Sequence, residues 1–233
     1  MSVDASTTDL QSLAIRAGAE LEGAPAGDIL GWAVEQFGTD WCLTSSMADA
    51  VLPHLAAQVA PGVAVVFLDT GCHFAETIGM RDAVAATLPV TVRTTLALRT
   101  VAEQDAEFGP RLHDRDPNGC CAMRKVEPLE RALAPYRAWA SGLRRADSAN
   151  RADVRVVEWD AKRNMVKINP IATWSDEQLA DYIAENAILV NPLLSDGYGS
   201  IGCAPCTRRL LPGEQARAGR WAGTTKTECG LHT

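Results

Sequence analysis

The run VAVVFLDTG at residues 63–71 is the feature that most restricts the fold of this chain. It joins six consecutive apolar residues to a short polar turn that ends in glycine. An apolar run of this length, rich in valine and closed by glycine, is typical of a strand buried on both faces, as in a parallel sheet. Parallel strands need crossover connections, which are usually helices. We therefore expect an α/β protein.

Strand-like runs alternate with helical periodicity along the rest of the chain. Further strands are predicted at TDWCLT, TVRTTLAL (91–98), VRVVEW and MVKINPIA. Helices are predicted at residues 10–21, 29–37, 48–59, 74–87 and over VEPLERALAPYRAW (126–139). Another helix follows Ser175, because a serine N-cap with Gln178 three residues later forms a capping box. This alternation predicts a doubly wound, mainly parallel sheet flanked by helices.

Charge and hydropathy argue against some classes of partner. The net charge of -7 disfavours general nucleic-acid binding. No apolar run is long enough to span a bilayer, and MSVDASTTDL has neither the basic nor the apolar part of a signal peptide, so we expect no membrane segment and a cytoplasmic protein. Seven cysteines in a reducing compartment favour metal ligation or thiol chemistry over a disulfide framework.

Two close pairs of cysteines carry the strongest chemical signal. Cys120 and Cys121 are adjacent in NGCCAMRKVEPL, and Cys203 and Cys206 form a C-x-x-C pair in GCAPCTRR. Four thiolates suit either a tetrahedral zinc ion or a [4Fe-4S] cluster. Adjacent Cα atoms are only ~3.8 Å apart, so neighbouring thiolates converge poorly on one ion but can bind two irons. This favours the cluster; a redox dithiol beside an incidental or oxidised vicinal pair is the alternative.

The residues after the vicinal pair are basic. Arg124 and Lys125 follow Cys121 by three and four positions, so on a helix either could reach back over the cysteines. A cation there would offset the thiolate charge or meet an anionic substrate, and a solvated basic face is the alternative. Cys42 and Cys72 lie in or beside predicted strands, and we expect both to be small buried core residues.

Cys229, in the C-terminal sequence TKTECGLHT, is the remaining cysteine. Lys226 and His232 favour its thiolate form, whereas Glu228 opposes it. A thiolate near the terminus is suited to attack one partner in a pocket and then meet a second. A terminal cysteine without a function is the alternative.

These motifs together resemble those of the iron-sulfur branch of the phosphosulfate reductases, the assimilatory adenylyl-sulfate (APS) reductases. The matching stretches run from about residue 40 to the end: TSSMADAVL, FLDTGCHFAET, TVAEQDAEFG, CCAMRKVEPL, SGLRRADSANR, KINPIATWSDEQL, YGSIGCAPCT, PGEQARAGRWAG and KTECGLH. The resemblance implies an adenine-nucleotide alpha-hydrolase-like fold, related to the PP-loop proteins, and a [4Fe-4S] cluster on Cys120, Cys121, Cys203 and Cys206.

The resemblance also implies a reaction. Cys229 would attack the sulfur of adenosine 5'-phosphosulfate, release AMP and become an S-sulfocysteine, from which thioredoxin or a similar dithiol protein would release sulfite. Candidate substrate-binding residues are Ser45, Ser46, Leu68, Asp69, Thr70, Lys125, Arg144, Arg145, Arg151, Arg217 and Arg220. The choice among Arg144, Arg145 and Arg151 stays open, and so does the formation of a homo-oligomer.

On this basis the chain divides into a loosely ordered N-terminal segment (1–24), an α/β nucleotide- and cluster-binding domain (25–212) and a mobile C-terminal tail (213–233). Two stretches depart from the family pattern. TSSMADA replaces the glycine-rich phosphate loop of ATP-pyrophosphatases, which disfavours ATP cleavage, and DTGCHF brings Cys72 and His73, the latter expected at the surface or as a cap. The alternatives are a PAPS reductase with a cluster, a non-catalytic iron-sulfur redox sensor, a zinc-stabilised interaction module and, disfavoured by TSSMADA, an adenylating or thiolating enzyme of the ATP-pyrophosphatase type.

Overall fold

A six-stranded sheet organises the computed structural model, which describes residues 7–224, 226, 228, 230 and 231. The strands are β1 (Trp41–Thr44), β2 (Ala64–Asp69), β3 (Thr91–Leu96), β4 (Ala138–Ala140), β5 (Val157–Asp160) and β6 (Met165–Ile168). Their spatial order is β3-β2-β1-β4-β6-β5, and every neighbouring pair is parallel except the edge pair of β5 and β6. The prediction of a doubly wound, mainly parallel sheet is confirmed.

Helices connect and cover these strands. They are α1 (Thr7–Glu20), α2 (Ala26–Phe37), α3 (Val51–Val59), α4 (Ala75–Thr87), α5 (Val101–Phe108), α6 (Leu112–Arg115), α7 (Pro117–Cys121), α8 (Glu127–Leu133) and α9 (Asp176–Glu185). The capping box predicted at Ser175 and Gln178 begins α9. Helix α5 was not predicted, although Thr100 and Glu103 form the same kind of box there. In the described part of the chain, no helix is long and apolar enough to cross a membrane.

Both faces of β2 are buried over its first four residues, as the apolar run at 63–71 predicts. In β2, Val65 and Phe67 belong to the larger apolar cluster, whereas Ala64 and Val66 belong to the smaller one. This alternation follows from the two-residue period of a strand. Trp139 in β4 lies on the side of the smaller cluster and is fully buried.

Strand β4 corrects the prediction of one helix over residues 126–139. Helix α8 ends at Leu133, and Ala138–Ala140 pairs with β1 on one side and β6 on the other. Pro135 disfavours further helix because it lacks an N–H and its ring clashes with the preceding turn. A three-residue strand made mostly of alanine carries little strand signal of its own, so pairing with its neighbours decides its structure.

Helix α1 corrects the expectation of a loosely ordered start for the residues that it covers. Leu10, Ala14 and Ala17 are buried in the larger cluster. The helix also approaches β5 closely: a Cβ atom on Gly18 would lie 2.4 Å from the carbonyl oxygen of Val157. Helix α1 is therefore packed against the sheet.

The strand order places a change of direction between β1 and β4. From β1 the chain proceeds outward through β2 to β3, whereas β4, β6 and β5 occupy the other side. In doubly wound sheets, ligands bind at the carboxyl ends of the strands beside such a point. The loops that follow β1, β2 and β4 are consequently the expected place for a site.

Candidate active site

A cavity of about 520 Å³ opens at the carboxyl ends of β1, β2 and β4. Most of the predicted substrate-binding residues line it: Ser45, Ser46, Leu68, Thr70, Lys125, Arg144, Arg151, Arg217 and Arg220. They come from loops far apart in sequence, which the parallel sheet brings to one edge. The cavity therefore combines an apolar strand end with several cationic side chains.

Asp69 and Arg145, two other predicted contacts, lie outside this cavity. The carboxylate of Asp69 accepts a hydrogen bond from the N–H of Gly71 at 2.9 Å and lies 3.9 Å from Arg81. Arg145 pairs with Glu22 at 2.7 Å and donates to the carbonyl oxygen of Val154. Both side chains thus act within the protein, away from the cavity that the other residues share.

Arg144 and Arg151 are joined through one carboxylate. Asp147 accepts from Arg144 at 2.9 Å and from Arg151 at 2.8 Å. Arg144 also bonds Asp176 and the carbonyl oxygen of Ser175, so its guanidinium ties the loop after β4 to the start of α9. Within this trio of arginines, Arg144 supports the wall and Arg151 remains the better candidate to meet a ligand.

Replacement of Arg144 by alanine should destabilise the fold more than replacement of Arg145. Arg144 is buried and satisfies three partners, and leaving such groups unpaired costs about 2–3 kcal/mol. Arg145 forms a half-exposed pair with Glu22, for which about 0.2–1 kcal/mol is expected. Urea denaturation of R144A and R145A measures the difference; equal free energies of unfolding would contradict it.

A recess next to the cavity collects the cysteines. Cys120, Cys121, Cys203 and Cys206 all line it, as the sequence predicts for a shared site. Asp116 caps α7 by accepting from the N–H of Gly119 at 2.8 Å, and α7 delivers the vicinal pair. The other pair sits on a short 3-10 turn, Ala204–Cys206. The two distant pairs therefore meet in space.

Cys72 also lines this recess, which corrects its prediction as a core residue. It is half-buried, and its carbonyl oxygen accepts from the N–H of Ala204 at 2.7 Å, next to Cys203. Thr70 reaches the same place, since its Oγ1 lies 3.3 Å from Sγ of Cys203. Cys42, in contrast, is fully buried in the smaller apolar cluster, as predicted.

Burial and crowding keep the thiols of Cys120 and Cys206 protonated at neutral pH. Burial, together with the neighbouring cysteines, raises the pKa of Cys120 to about 12 and that of Cys206 to about 11. Bound metal reverses this balance, because thiolates are the ligands and their protons are released on binding. Loading of a metal group should therefore release protons.

The donor set of the recess fits an iron-sulfur cluster. Within the described residues, no group of three or more His, Cys, Asp or Glu side chains is arranged to hold a metal ion. A tetrahedral zinc ion needs four sulfur atoms on one centre, whereas a cubane offers a separate iron to each cysteine. The basic residues Arg124 and Lys125 also line the recess and would balance thiolate charge.

Arg124 and Lys125 lie on a π-helical segment, Ala122–Val126, directly after the vicinal cysteines. Such segments often occur at functional sites. Arg124 is buried and donates to the carbonyl oxygen of Thr70 and, at 2.9 Å, to Gln104. Lys125 is buried too and lines both the recess and the large cavity. It therefore connects the cysteine site with the cationic cavity.

Trp221 is a second residue shared by the recess and the cavity, and the sequence analysis gave it no role. It is buried, and the guanidinium of Arg220 stacks over its ring at 4.4 Å from the centroid. Arg220 also donates to the carbonyl oxygen of Ile201 at 3.0 Å. The sequence did contain a signal for this role: Trp221 directly follows the last arginine of RAGR, and an arginine beside a tryptophan can form a cation–π contact.

The serine loop after β1 differs from the expected helix start. Helix α3 begins at Val51 rather than at residue 48, and the N–H of Val51 donates to Asp49. Ser45 accepts from the N–H of Met47, a residue with a left-handed φ of 59°. The serines therefore face the cavity from a tight turn. The first N–H of α3, that of Val51, is already bonded to the carboxylate of Asp49.

His73, expected at the surface, lies in the cavity wall. Its Nε2 is 2.9 Å from the carbonyl oxygen of Leu68, and its ring packs on Phe67. Burial lowers its pKa, so the ring is neutral at physiological pH. It supports the strand end that faces the cavity.

Cys229, the predicted nucleophile, and His232 lie outside the described residues. Their described neighbours Glu228 and Leu231 line the large cavity. Leu231 packs on the smaller apolar cluster, and Lys226 Nζ bonds the side chain of Asn118 at 2.6 Å. Neither Glu228 nor Leu231 was predicted as a site residue.

An α/β sheet with a cationic cavity at its carboxyl edge is typical of proteins that bind an anion or a nucleotide, and here the cavity lies beside a recess of cysteines. Residues 41–209 match the model of the phosphoadenosine phosphosulfate reductase domain. The chain belongs to this family.

Relatives and a solved structure agree with this assignment. An adenosine 5'-phosphosulfate reductase of Streptomyces coelicolor is 64% identical over 97% of this chain and 96% of its own length. One from Rhodococcus opacus is 53% identical over 100% and 99%. The phosphoadenylyl-sulfate reductase of Candida auris, solved as a phosphate complex, is 26% identical, with a TM-score of 0.71 over 88% of this chain and 98% of that chain.

Proposed function

We propose that this protein reduces adenosine 5'-phosphosulfate to sulfite and AMP, as a step of sulfate assimilation toward cysteine. The similarity to named adenosine 5'-phosphosulfate reductases over nearly the whole chain supports the reaction. The structural observation that carries the proposal is the single lysine, Lys125, that lines both the cysteine recess and the cationic cavity. A phosphosulfate bound there would lie beside the cysteine site.

The cavity supplies what a polyanionic nucleotide needs. Lys125, Arg151, Arg217 and Arg220 can bind the phosphosulfate oxygens, since guanidinium groups match such anions with paired hydrogen bonds. The end of β2 at Leu68 offers an apolar surface to the adenosine. Ser45 and Ser46 add hydroxyl groups on the loop after β1. These cations would also stabilise the charge on the departing phosphate.

The four paired cysteines would hold a [4Fe-4S] cluster. Bound there, the cluster would place an extended charge next to Lys125, whose ammonium group can face both it and the sulfate. Thr70 would orient Cys203 through the contact between Oγ1 and Sγ. Arg124 fixes the carbonyl group of Thr70 and thereby keeps the strand end in place.

The chemistry would occur on Cys229. Its thiolate attacks the sulfur of the phosphosulfate, the bond between that sulfur and the bridging oxygen breaks, and AMP leaves with the bond electrons. A thiolate of thioredoxin or a similar dithiol protein then attacks Sγ of Cys229 and expels sulfite. Its second thiol reduces the mixed disulfide, so the dithiol supplies both electrons. Glu228 and Leu231, described on either side of Cys229 in sequence, line the cavity and support this role.

Reduction of the 3'-phosphorylated nucleotide is the second candidate. It is favoured by the likeness to the phosphoadenylyl-sulfate reductase of Candida auris. Sulfite release measured with both nucleotides separates the two, and a higher kcat/KM for the 3'-phosphorylated form would replace our proposal. A redox sensor or a zinc-stabilised interaction module would release no sulfite from either nucleotide. A reducing cytoplasmic location and self-association stay predictions.

Neighbouring arginines provide a test of the cavity. R151A should lower kcat/KM for adenosine 5'-phosphosulfate about 10²-fold or more, because a buried donor to a developing anion is lost. R145A should stay within about twofold, since Arg145 faces Glu22 and Val154 outside the cavity. The measurement is thioredoxin-dependent sulfite release by folded protein. Equal losses in both variants, or none in R151A, would contradict the assignment of the cavity.

A further inference from the structure

Glu228 directs its carboxylate at two of the cavity's arginines. Arg151 binds it with two donors, Nε at 3.2 Å and Nη2 at 3.1 Å, and Arg217 Nη2 binds it at 3.0 Å. All three side chains are largely buried, at 20% exposure or less. A bidentate pair supported by a second guanidinium is among the stronger polar contacts in proteins.

The same two guanidinium groups are those that the proposed function assigns to the phosphosulfate. A carboxylate and a phosphosulfate cannot both take the same donors, and the negative charges of the two would repel at this distance. Arg151 also pairs with Asp147, so two carboxylates of the protein already contact its guanidinium. Arg151 can therefore bind the phosphosulfate only when one of these two carboxylates, Asp147 or Glu228, moves away.

Two other described residues of the C-terminal segment, Lys226 and Leu231, lie on either side of Glu228 in sequence and also contact the rest of the protein. Lys226 bonds Asn118 and the carbonyl oxygen of Pro117 at the start of α7, and Leu231 packs on the apolar cluster below. Glu228 lies between Lys226 and Leu231 in sequence and adds an ionic contact with Arg151 and Arg217. Its separation from the arginines would thus loosen the segment at its centre.

We propose that Glu228 is an internal anion that occupies the phosphosulfate site of the substrate-free protein and is displaced when the nucleotide binds. This inference rests on the proposed function for the identity of the incoming ligand. It assigns Glu228 a positioning role: the carboxylate neutralises Arg151 and Arg217 and fastens the C-terminal segment until substrate exchanges for it. Nucleotide binding is then coupled to release of that contact.

Removal of the charge at Glu228 should tighten nucleotide binding. E228Q keeps the shape and one acceptor but loses the charge that competes with the ligand. AMP, measured by calorimetry on the iron-loaded protein, should bind about five- to thirtyfold more tightly, the range expected when a charge-assisted bond no longer has to be broken. An unchanged or weaker affinity in both E228Q and E228A would overturn the inference.

Glu214 provides the matched control. It pairs with Arg208 through two oxygen atoms, each at 2.7 Å, in the same C-terminal region, but lies outside the cavity lining. E214Q should leave AMP affinity within twofold of the unaltered protein. Equal tightening in E214Q and E228Q would show a general charge effect and overturn the assignment.

A measurement without nucleotide separates this inference from the proposed function. Amide hydrogen exchange of a peptide covering residues 222–231 should be at least threefold faster in substrate-free E228Q than in the unaltered protein or E214Q, because the central attachment is lost. Unchanged exchange would overturn the inference even if sulfite is produced. Failure of the unaltered protein to bind AMP or release sulfite would refute the proposed function, while the exchange result still decides the fastening role of Glu228.

Discussion

Replacement of Cys229 by serine should abolish sulfite release while leaving nucleotide binding intact. A hydroxyl is a far weaker nucleophile than a thiolate at neutral pH, and loss of a covalent nucleophile lowers turnover by about 10⁴-fold or more. The cationic cavity is built from other parts of the chain, so AMP affinity in C229S should stay within about threefold. Thioredoxin-coupled sulfite release and calorimetric AMP titration measure the two properties separately.

Mass spectrometry adds a direct readout of the intermediate. Protein incubated with adenosine 5'-phosphosulfate and no reductant should gain one SO3 group on the peptide that contains Cys229, and C229S should gain none. C42A serves as the control, because Cys42 is a buried core cysteine and its removal leaves the reactive thiol in place. Turnover retained by C229S, or an adduct on another cysteine, would contradict the assignment.

Replacement of Cys203 by alanine should remove the metal group together with activity. Cys203 lines the recess, lies 3.3 Å from Thr70 Oγ1 and would be one of four ligands. Anaerobically purified protein should contain about four irons per chain and absorb broadly near 400 nm, as [4Fe-4S] proteins do. In C203A, iron should fall below one per chain, and sulfite release should fall at least 10²-fold, because the recess next to Lys125 loses its charge balance.

C42A is again the matched variant, since both cysteines are buried but only Cys203 lines the recess. Its iron content should equal that of the unaltered protein, with only a modest loss of stability from the vacated volume. Stoichiometric zinc with no iron in the unaltered protein would refute the cluster. Full iron content in C203A would refute the ligand assignment.

Local sequence signals located most strands but not β4, one of the two central strands of the sheet. The apolar run at 63–71 and the capping box at Ser175 each produce their element from neighbouring residues. Ala138–Ala140 has no comparable local signal, and it becomes a strand because β1 and β6 pair with it. A strand that depends on long-range partners is invisible to a local pattern.

The site shows the same division between local and long-range information. The sequence predicted that Cys120, Cys121, Cys203 and Cys206 share one site, because their residue type and spacing point to one chemistry. The place of Cys72 in the same recess was not, since its neighbours in sequence are those of a strand end. Arg144, Arg145 and Arg151 look alike in the sequence. Apart from Asp147, which Arg144 and Arg151 share, their acidic partners differ: Asp176, Glu22 and Glu228 respectively.

The sequence by itself determined the class of fold, the cysteine pairs and the family, because hydrophobic period, ligand type and motif order are local properties of the chain. Only the tertiary structure decided which arginines share a cavity, that Lys125 and Trp221 border both the cavity and the recess, and that Glu228 bonds Arg151 and Arg217. The bond between Arg151 and Glu228 alone joins residues 77 positions apart in the chain. Such contacts depend on the directions in which the assembled sheet presents its loops, and no local pattern specifies those directions.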